Sequence, residues 1–167
     1  FAKSEIVPSN KDRFLRKETL QGFVHDEASA FFGGLAGNAG LFSTARDVAR
    51  VYQMLLNGGE IDGQRYLSKE TCQLFTTETS KISRRGLGFD KPDADDPKKG
   101  NCAPAAPAEV YGHTGFTGTC AWVDPMNELV YVFLSNRIYP DVTNRKLNQL
   151  HIRERIQGAI YDAMKKK

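Results

Sequence analysis

One segment concentrates the side chains that could take part in a reaction. Residues 112–118 read Gly-His-Thr-Gly-Phe-Thr-Gly, and two apolar runs follow at 120–124 and 129–135. This pattern predicts a strand that carries the triplet His113-Thr114-Gly115, a glycine-rich break, and two further strands. Acyl transfer through a serine ester requires an activated hydroxyl, a base, and backbone donors aimed at the developing oxyanion. A hydroxyl, an imidazole and amides beside glycine make this segment the first candidate for such a site.

The predicted strands need other elements to position them. Strands near 110–116, 119–124 and 129–135 would form an antiparallel meander with one apolar face. The C-terminal segment has the spacing of one long amphipathic helix, which we expect to cover that face. Its apolar residues are Leu147, Leu150, Ile156, Ile160 and Met164.

Two helices are predicted before the sheet. Residues 44–47 are typical of a capped helix start, and apolar residues at helical spacing continue to Asn57-Gly58-Gly59, which predicts a helix over about 45–57. A shorter helix is expected to begin at Ser68. Arg85-Gly-Leu-Gly-Phe89 has the composition of a short strand whose glycines allow another group to approach its backbone closely.

Three segments are predicted to connect these elements. The first 24 residues are polar and weakly periodic, which favours a path over the surface. Residues 24–43 hold four glycines among apolar side chains, a pattern that predicts a tight and buried connection. Residues 90–108 contain four of the seven prolines and many charges, so we expect a mobile surface loop.

Composition excludes several classes of protein. The 167 residues, 40% of them apolar, fit one domain. A net charge of +3, with Lys165-Lys166-Lys167 as the one basic run, argues against nucleic-acid binding. The three cysteines have neither zinc-ribbon nor redox spacing, and no apolar run is long enough to cross a bilayer. We therefore expect no metal, no cofactor and no membrane span.

Five motifs in a fixed order resemble a known family. They are Val24-His-Asp-Glu27, the glycine-rich run 34–49, Asn57-Gly-Gly59, Arg85-Gly-Leu-Gly-Phe89 and Gly112-His-Thr-Gly115. Together they are similar to the later part of class C β-lactamase-like proteins and the related esterases and penicillin-binding DD-peptidases, from about residue 20 onward. In detail the chain is similar to serine hydrolase domains that follow a family 3 glycoside hydrolase in some bacterial envelope proteins.

The resemblance implies a fold and a set of roles. The fold would be α/β, of the α+β kind: a partial helical region over 1–84, then antiparallel strands and a C-terminal helix over 85–167. In this family the Lys-Thr-Gly strand forms one wall of the cleft. By position, His113 takes the place of the lysine as a positive or donating group, and Thr114 binds substrate beside Gly115. The backbone N–H of Phe116 would be an oxyanion donor.

Two departures from the family pattern limit this transfer. Ser-x-x-Lys and Tyr-x-Asn, which belong upstream of the glycine-rich run, do not occur here. Tyr66-Leu-Ser68 imitates the second motif, but it is read as packing and a helix cap. We therefore expect the C-terminal part of one incomplete domain, inactive alone. His113 replaces a lysine that would stay cationic at neutral pH, a change that favours esterases and amidases over efficient β-lactamases.

Other interpretations remain open from the sequence. A non-catalytic, envelope-associated module on the same scaffold is the main alternative. Metal binding by His25-Asp26-Glu27 is disfavoured because successive residues point in different directions, and His25 or Asp26 would instead fix the glycine-rich connection by hydrogen bonds. The resemblance implies a small ester, an amide or a cell-wall peptide as substrate, and a periplasmic or envelope location. The N-terminal half of the domain would be a partner, and without it the segment is expected to self-associate through a face or edge of the sheet.

Overall fold

A computed structural model describes residues 2–77, 82–93, 95–96 and 100–166. A short 3-10 helix, Lys3–Glu5, precedes the first strand. The strands are β1 (Pro8–Lys11), β2 (Thr19–Gln21), β3 (Glu60–Ile61), β4 (Gln64–Arg65), β5 (Tyr111–Thr114), β6 (Cys120–Asp124) and β7 (Leu129–Phe133). The helices are α1 (Glu27–Phe31), α2 (Ala45–Leu56), α3 (Lys69–Thr76), α4 (Lys146–Gln149) and α5 (Ile152–Met164). The chain is of the α+β class, as the sequence predicted.

The predicted antiparallel meander is confirmed. Its three strands lie in the order β5-β6-β7, and the register places Gly112 opposite Trp122, which in turn lies opposite Tyr131. All five residues of β6 are buried. A strand buried at every position has apolar neighbours on both of its faces, so this sheet has two covers rather than one.

The C-terminal helix covers one face. Trp122 and Tyr131 belong to a buried cluster against which Ile160 of α5 packs. Two tyrosine hydroxyls reinforce this contact, since Tyr131 donates to the carbonyl of Arg153 and Tyr161 donates to the Asp124 carboxylate. The predicted role of the terminal helix is therefore confirmed.

Helix α2 covers the opposite face, which sequence reasoning did not predict. It packs against β6 and β7. Its Tyr52 meets Phe89 edge to face, and Phe89 meets Tyr111 of β5 in the same way. Edge-to-face pairs of this kind add to the free energy of burial. The apolar stripe that predicted the helix thus becomes the second cover of the sheet.

Both predicted helices before the sheet begin where their capping residues lie. The Thr44 hydroxyl accepts from the amide of Asp47 at 3.1 Å, and the Ser68 hydroxyl accepts from the amide of Thr71 at 3.1 Å. Each cap satisfies an amide that the first helical turn leaves without a partner. Ser68 is therefore a cap, as expected.

The N-terminal segment is more ordered than the sequence indicated. Strands β1 and β2 form a hairpin, and Leu20 and Val24 are buried. The Asn136 amide, just beyond β7, donates to the carbonyls of Pro8 and Ser9. Most of the segment is exposed, as the predicted surface path requires, and the hydrogen bonds from Asn136 hold it in place despite its weak local periodicity.

The glycine-rich connection is tight, as predicted, but it is not buried, so the prediction of burial was wrong. A Cβ at Gly40, where φ is +123°, would lie 2.3 Å from the carbonyl oxygen of Gly34, and only glycine allows this approach. Around it, five large apolar side chains are between 78% and 86% exposed. They are Phe14, Phe31, Phe32, Leu35 and Leu41.

Three further predictions need correction. Residues 85–89 form no strand, and a single bridge joins Asp90 to Gly112 of β5. The segment 90–108 is not wholly a surface loop, because Asp90, Cys102 and Ala103 are buried, while residues 94 and 97–99 lie outside the described part. The terminal helix is broken at His151, whose φ is +49°, and this residue precedes α5.

The cysteines serve the core rather than chemistry. Cys72, Cys102 and Cys120 are all buried and free. Burial raises the pKa of Cys102 to about 12 and that of Cys120 to about 11, so both remain thiols at neutral pH. No cluster of possible metal ligands occurs among the described residues. In the same part of the chain, no helix is long and apolar enough to cross a membrane.

The close approach of β5 to β6 generates a prediction. A Cβ at Gly112 would lie 2.1 Å from the Ala121 carbonyl oxygen and 2.7 Å from the Trp122 ring. We expect Gly112→Ala to lower the free energy of unfolding by about 1–3 kcal/mol, measured from urea midpoints. Gly37→Ala is the control, because nothing lies within 4 Å of its added Cβ. Equal effects of the two substitutions would contradict the close packing at Gly112.

Candidate functional site

The predicted triplet lies at the end of β5, where the strand runs into a tight turn. The Gly115 amide donates to the Thr119 carbonyl at 2.8 Å, and the Gly118 amide donates to the Gly115 carbonyl at 3.0 Å. Neither bond uses the amide of Phe116. Within the described residues that amide has no hydrogen-bond acceptor. The turn therefore presents a backbone donor next to Gly115, which is the group an oxyanion would need.

His113 makes two hydrogen bonds through its ring nitrogens. Its Nε2 lies 2.8 Å from Nη1 of Arg85, and its Nδ1 lies 2.6 Å from the Thr114 carbonyl oxygen. A guanidinium only donates and a carbonyl only accepts. The tautomer with its proton on Nδ1 satisfies both contacts, since it donates to the Thr114 carbonyl and accepts from Arg85 at Nε2.

Arg85 reaches His113 because its neighbours hold the segment beside β5. The Arg84 guanidinium donates to both carboxylate oxygens of Asp90, at 2.7 and 3.0 Å, and the Asn101 amide donates to the same group. These bonds hold the pKa of Asp90 below its usual range although its burial, at 1% exposure, opposes this. The backbone of Asp90 exchanges two hydrogen bonds with Gly112, at 2.7 and 3.0 Å.

Phe116 is held from two other parts of the chain. Its ring lies parallel to that of His25, with the centroids 5.3 Å apart and an interplanar angle of 2°. The Arg137 guanidinium carbon lies 4.7 Å from the centroid of the Phe116 ring, a cation–π contact. The Arg137 amide also donates to the Thr117 carbonyl at 2.8 Å. The turn that presents the Phe116 amide is thus fixed through its side chain and its backbone.

The N-terminal hairpin places His25 at this turn. The Arg16 guanidinium donates to the carbonyls of Val24 and His25, at 3.1 and 2.9 Å, and to the Asp12 carboxylate. The ion pair with Arg16, together with backbone amides that donate to the Asp12 carboxylate, holds the pKa of Asp12 well below its usual range. Burial, with the nearby Arg16 charge, lowers the pKa of His25. His25 therefore stacks on Phe116 as a neutral ring.

The structure brings some of the predicted site residues together and separates others. Thr114 and Gly115 lie between two groups of side chains, one around His113 and the other around Phe116. In the part of the chain that the structure describes, no serine or threonine hydroxyl is hydrogen-bonded to a histidine ring. A nucleophile activated by histidine is thus not assembled among these residues.

Two neighbours of the candidate site were not predicted from the sequence. Arg85 was assigned to a short strand, and Arg137 follows the last predicted strand without a motif that marks it. One indication exists in the sequence for each residue: Arg85 precedes a glycine-rich segment, and Arg137 follows the end of a predicted strand. Asp26 does fix the glycine-rich connection, as predicted, since its carboxylate caps α1 and accepts from Asn38. His25 stacks on Phe116 instead.

Comparison with known proteins identifies the class to which this fold and strand end belong. A family model described as Beta-lactamase matches residues 6–154, which is most of the chain. The chain therefore belongs to the beta-lactamase family, and the resemblance drawn from the five motifs is confirmed.

Curated relatives share one name. Proteins of Escherichia coli K12, Salmonella agona and Salmonella typhi called "Putative D-alanyl-D-alanine carboxypeptidase" are each 36% identical to this chain over 135 residues. The match covers 80% of this chain and 31% of each relative. The chain thus spans about a third of the length of the relatives it matches. The expected fusion to a family 3 glycoside hydrolase stays a prediction.

The Asp12–Arg16 pair beneath His25 generates a prediction about pH. A carboxylate whose pKa is lower in the folded than in the unfolded chain stabilises the fold fully above about pH 4 and loses that effect as the pH falls. We expect Asp12→Asn to lower the urea midpoint at pH 7 and to do so much less at pH 2.

Urea titrations of both proteins at several pH values test this expectation. Asp162→Asn, on the exposed surface of α5, is the control. Midpoints of the wild type and Asp12→Asn that stay equally far apart from pH 7 to pH 2 would show that the ion pair contributes nothing.

Proposed function

We propose that this chain is the C-terminal part of a serine hydrolase domain that cleaves an ester or amide through an acyl-serine intermediate. The observation that carries the proposal is the end of β5, where the Phe116 amide has no acceptor within the described residues and lies beside the Thr114 hydroxyl and His113. Membership of the beta-lactamase family supports the same reaction class.

Each group at the strand end has a role in this reaction. When a serine attacks the carbonyl, negative charge develops on the carbonyl oxygen, and the Phe116 amide would donate to it. The clamp of His25 and Arg137 on the Phe116 ring keeps that donor in place, so little reorganisation is needed during the reaction. Thr114 and the His113–Arg85 pair would contact the part of the substrate that follows the scissile bond.

The nucleophile and its base would come from residues that precede this segment in the complete protein. The relatives are about three times as long as the matched region, which leaves room for a nucleophile and a base outside it. The name of these relatives supports a substrate of the D-alanyl-D-alanine kind, and therefore an amide of a cell-wall peptide in the periplasm or envelope. The segment by itself would then be inactive, because the covalent step has no nucleophile.

Exposed apolar surface supports an incomplete domain. Helices α2 and α5 cover both faces of the sheet, so the apolar surface lies instead on the hairpin and the glycine-rich connection. A groove of about 430 Å³ there is lined in part by Leu15, Phe23 and Phe31. Patches of this kind are usually covered in a complete protein. The preceding part of the domain is the proposed cover.

Activity tests this proposal in the complete protein. We expect labelling by a fluorescent penicillin and turnover of p-nitrophenyl esters by the complete protein, and neither by residues 1–167 alone. His113→Ala in the complete protein should lower kcat/KM by about tenfold to a thousandfold and leave Tm nearly unchanged. His151→Asn is the control, since asparagine accepts the left-handed backbone at this exposed position.

Two results would contradict the proposal. Stoichiometric acylation of a serine within residues 1–167 alone would place the nucleophile in this chain. Normal kinetics of His113→Ala combined with a large loss of stability would make His113 a structural residue. A complete protein that binds partners but is never acylated would instead support the non-catalytic module.

Light scattering tests the exposed surface. We expect the segment alone to self-associate with increasing concentration, and Phe31→Ser/Leu35→Ser to reduce this, because the substitutions remove apolar area from the patch. Met126→Ser, an exposed apolar residue at the β6–β7 turn, should have no such effect. A particle that is monomeric at every concentration would show that the surface needs no cover.

A further inference from the structure

We propose that His25 is a positioning residue for acyl transfer and that it acts only as a neutral ring. Stacked on Phe116, the neutral imidazole would fix the turn whose amide faces the developing oxyanion, and protonation of the ring would release that turn. The inference rests on the proposed function and adds to it a dependence of the rate on one proton. His25 does not touch the substrate, because it acts through the Phe116 side chain.

The His25 ring is held by its own backbone and by its stack. Arg16 donates to the carbonyls of Val24 and His25, at 3.1 and 2.9 Å, which ties the residue to the N-terminal hairpin. The ring lies parallel to that of Phe116, with an interplanar angle of 2°. Because Phe116 is 61% exposed, its side chain depends on its contacts with His25 and Arg137. Loss of the stack would leave this ring, and the backbone that carries it, freer to move.

One atom of the His25 ring favours the neutral form. Nδ1 is buried, and no hydrogen-bond partner for it occurs among the described residues. In a neutral ring that is protonated on Nε2, this atom is an acceptor without a partner. Protonation would turn it into a buried, charged donor without an acceptor, which is more costly. Burial accordingly lowers the pKa of His25 below its usual value.

The charges that face His25 from the hairpin and from α1 do not remove this cost. On the hairpin, Arg16 opposes a second cation, and the Asp12 carboxylate is already paired with Arg16. On α1, the Asp26 carboxylate caps the helix and Glu27 is exposed. These three carboxylates favour the protonated ring through space, but none of them accepts a hydrogen bond from Nδ1.

On the side of the sheet, the Phe116 ring already binds a cation. An imidazolium can stack on an aromatic face, but the Arg137 guanidinium carbon lies 4.7 Å from the centroid of the same ring. A protonated His25 would bring a second positive charge to that ring. The stack and the Arg137 contact are therefore compatible while His25 is neutral, and they compete once it is charged.

The pH dependence of kcat/KM for p-nitrophenyl acetate tests the proposal in the complete protein. His25→Phe keeps a ring that can stack but cannot be protonated, so the ratio of wild type to His25→Phe isolates this one proton. The pKa of His25 lies below its usual value of about 6.5. We therefore expect the ratio to be constant between pH 7 and 8 and to fall by about three- to tenfold by pH 4.5. His151→Asn replaces an exposed histidine, and its ratio to the wild type should not change with pH.

Two further variants separate positioning from packing. His25→Ala and Phe116→Leu both remove the stack and keep the backbone amide of residue 116. Each should lower kcat and kcat/KM by the same factor, about 5- to 50-fold at pH 7.5, as expected for an interaction made in the transition state. His25→Phe should restore most of the activity that His25→Ala loses. A purely structural role would lower Tm in these variants and leave the pH profile of the folded protein unchanged.

Three results would overturn the inference. A ratio of wild type to His25→Phe that stays constant down to pH 4.5 would show that the proton has no effect. An unchanged kcat in His25→Ala would show that the stack positions nothing. Absence of turnover by the wild type at every pH would refute the proposed function and the positioning role with it. A ¹⁵N titration of the His25 ring would then show separately whether the stack exists, since Phe116→Leu should raise the pKa of His25 if it does.

Discussion

The complete burial of strand β6 is the constraint on which the other features depend. Trp122 faces the cluster beneath α5, while Ala121 and Val123 face the side on which α2 packs. A slip of one residue would carry the Trp122 ring into the space that Ala121 or Val123 fills, so side-chain volume fixes the register of this strand. Since β5 pairs with β6, the position of the end of β5 along the sheet is fixed. The position of the turn that contains Phe116 is fixed with it.

Arginine side chains organise the site around this fixed strand. Arg16 and Arg84 are each neutralised by a buried aspartate, and both hold backbone segments in place. Arg85 and Arg137 meet ring systems instead, the imidazole of His113 and the face of Phe116. The arginines paired with aspartates fix the backbone, and those that contact rings fix the two side chains on either side of Thr114 and Gly115.

The distribution of exposed apolar residues agrees with the length of the relatives. The sheet needs no further cover, since helices occupy both faces, whereas the hairpin and the glycine-rich connection expose several phenylalanines and leucines. These exposed segments also position His25 against Phe116. A partner that covered them would therefore affect the geometry of the turn at Phe116 as well as the stability of the fold.

Local sequence determined the elements, and tertiary structure decided how they meet. Capping residues and helical spacing predicted α2 and α3, and apolar runs separated by a glycine-rich break and a polar turn predicted the three-stranded meander, because these signals are local in sequence. The five motifs in their order identified the family for a similar reason, since the residues of each motif are contiguous. The cover of the sheet by α2, the hairpin and the break at His151 depend on contacts between residues far apart in sequence. The pairing of Arg85 with His113, 28 residues away, is of this second kind. No local pattern encodes it, because it arises when buried Asp90 binds Arg84 and pairs with β5 at the same time.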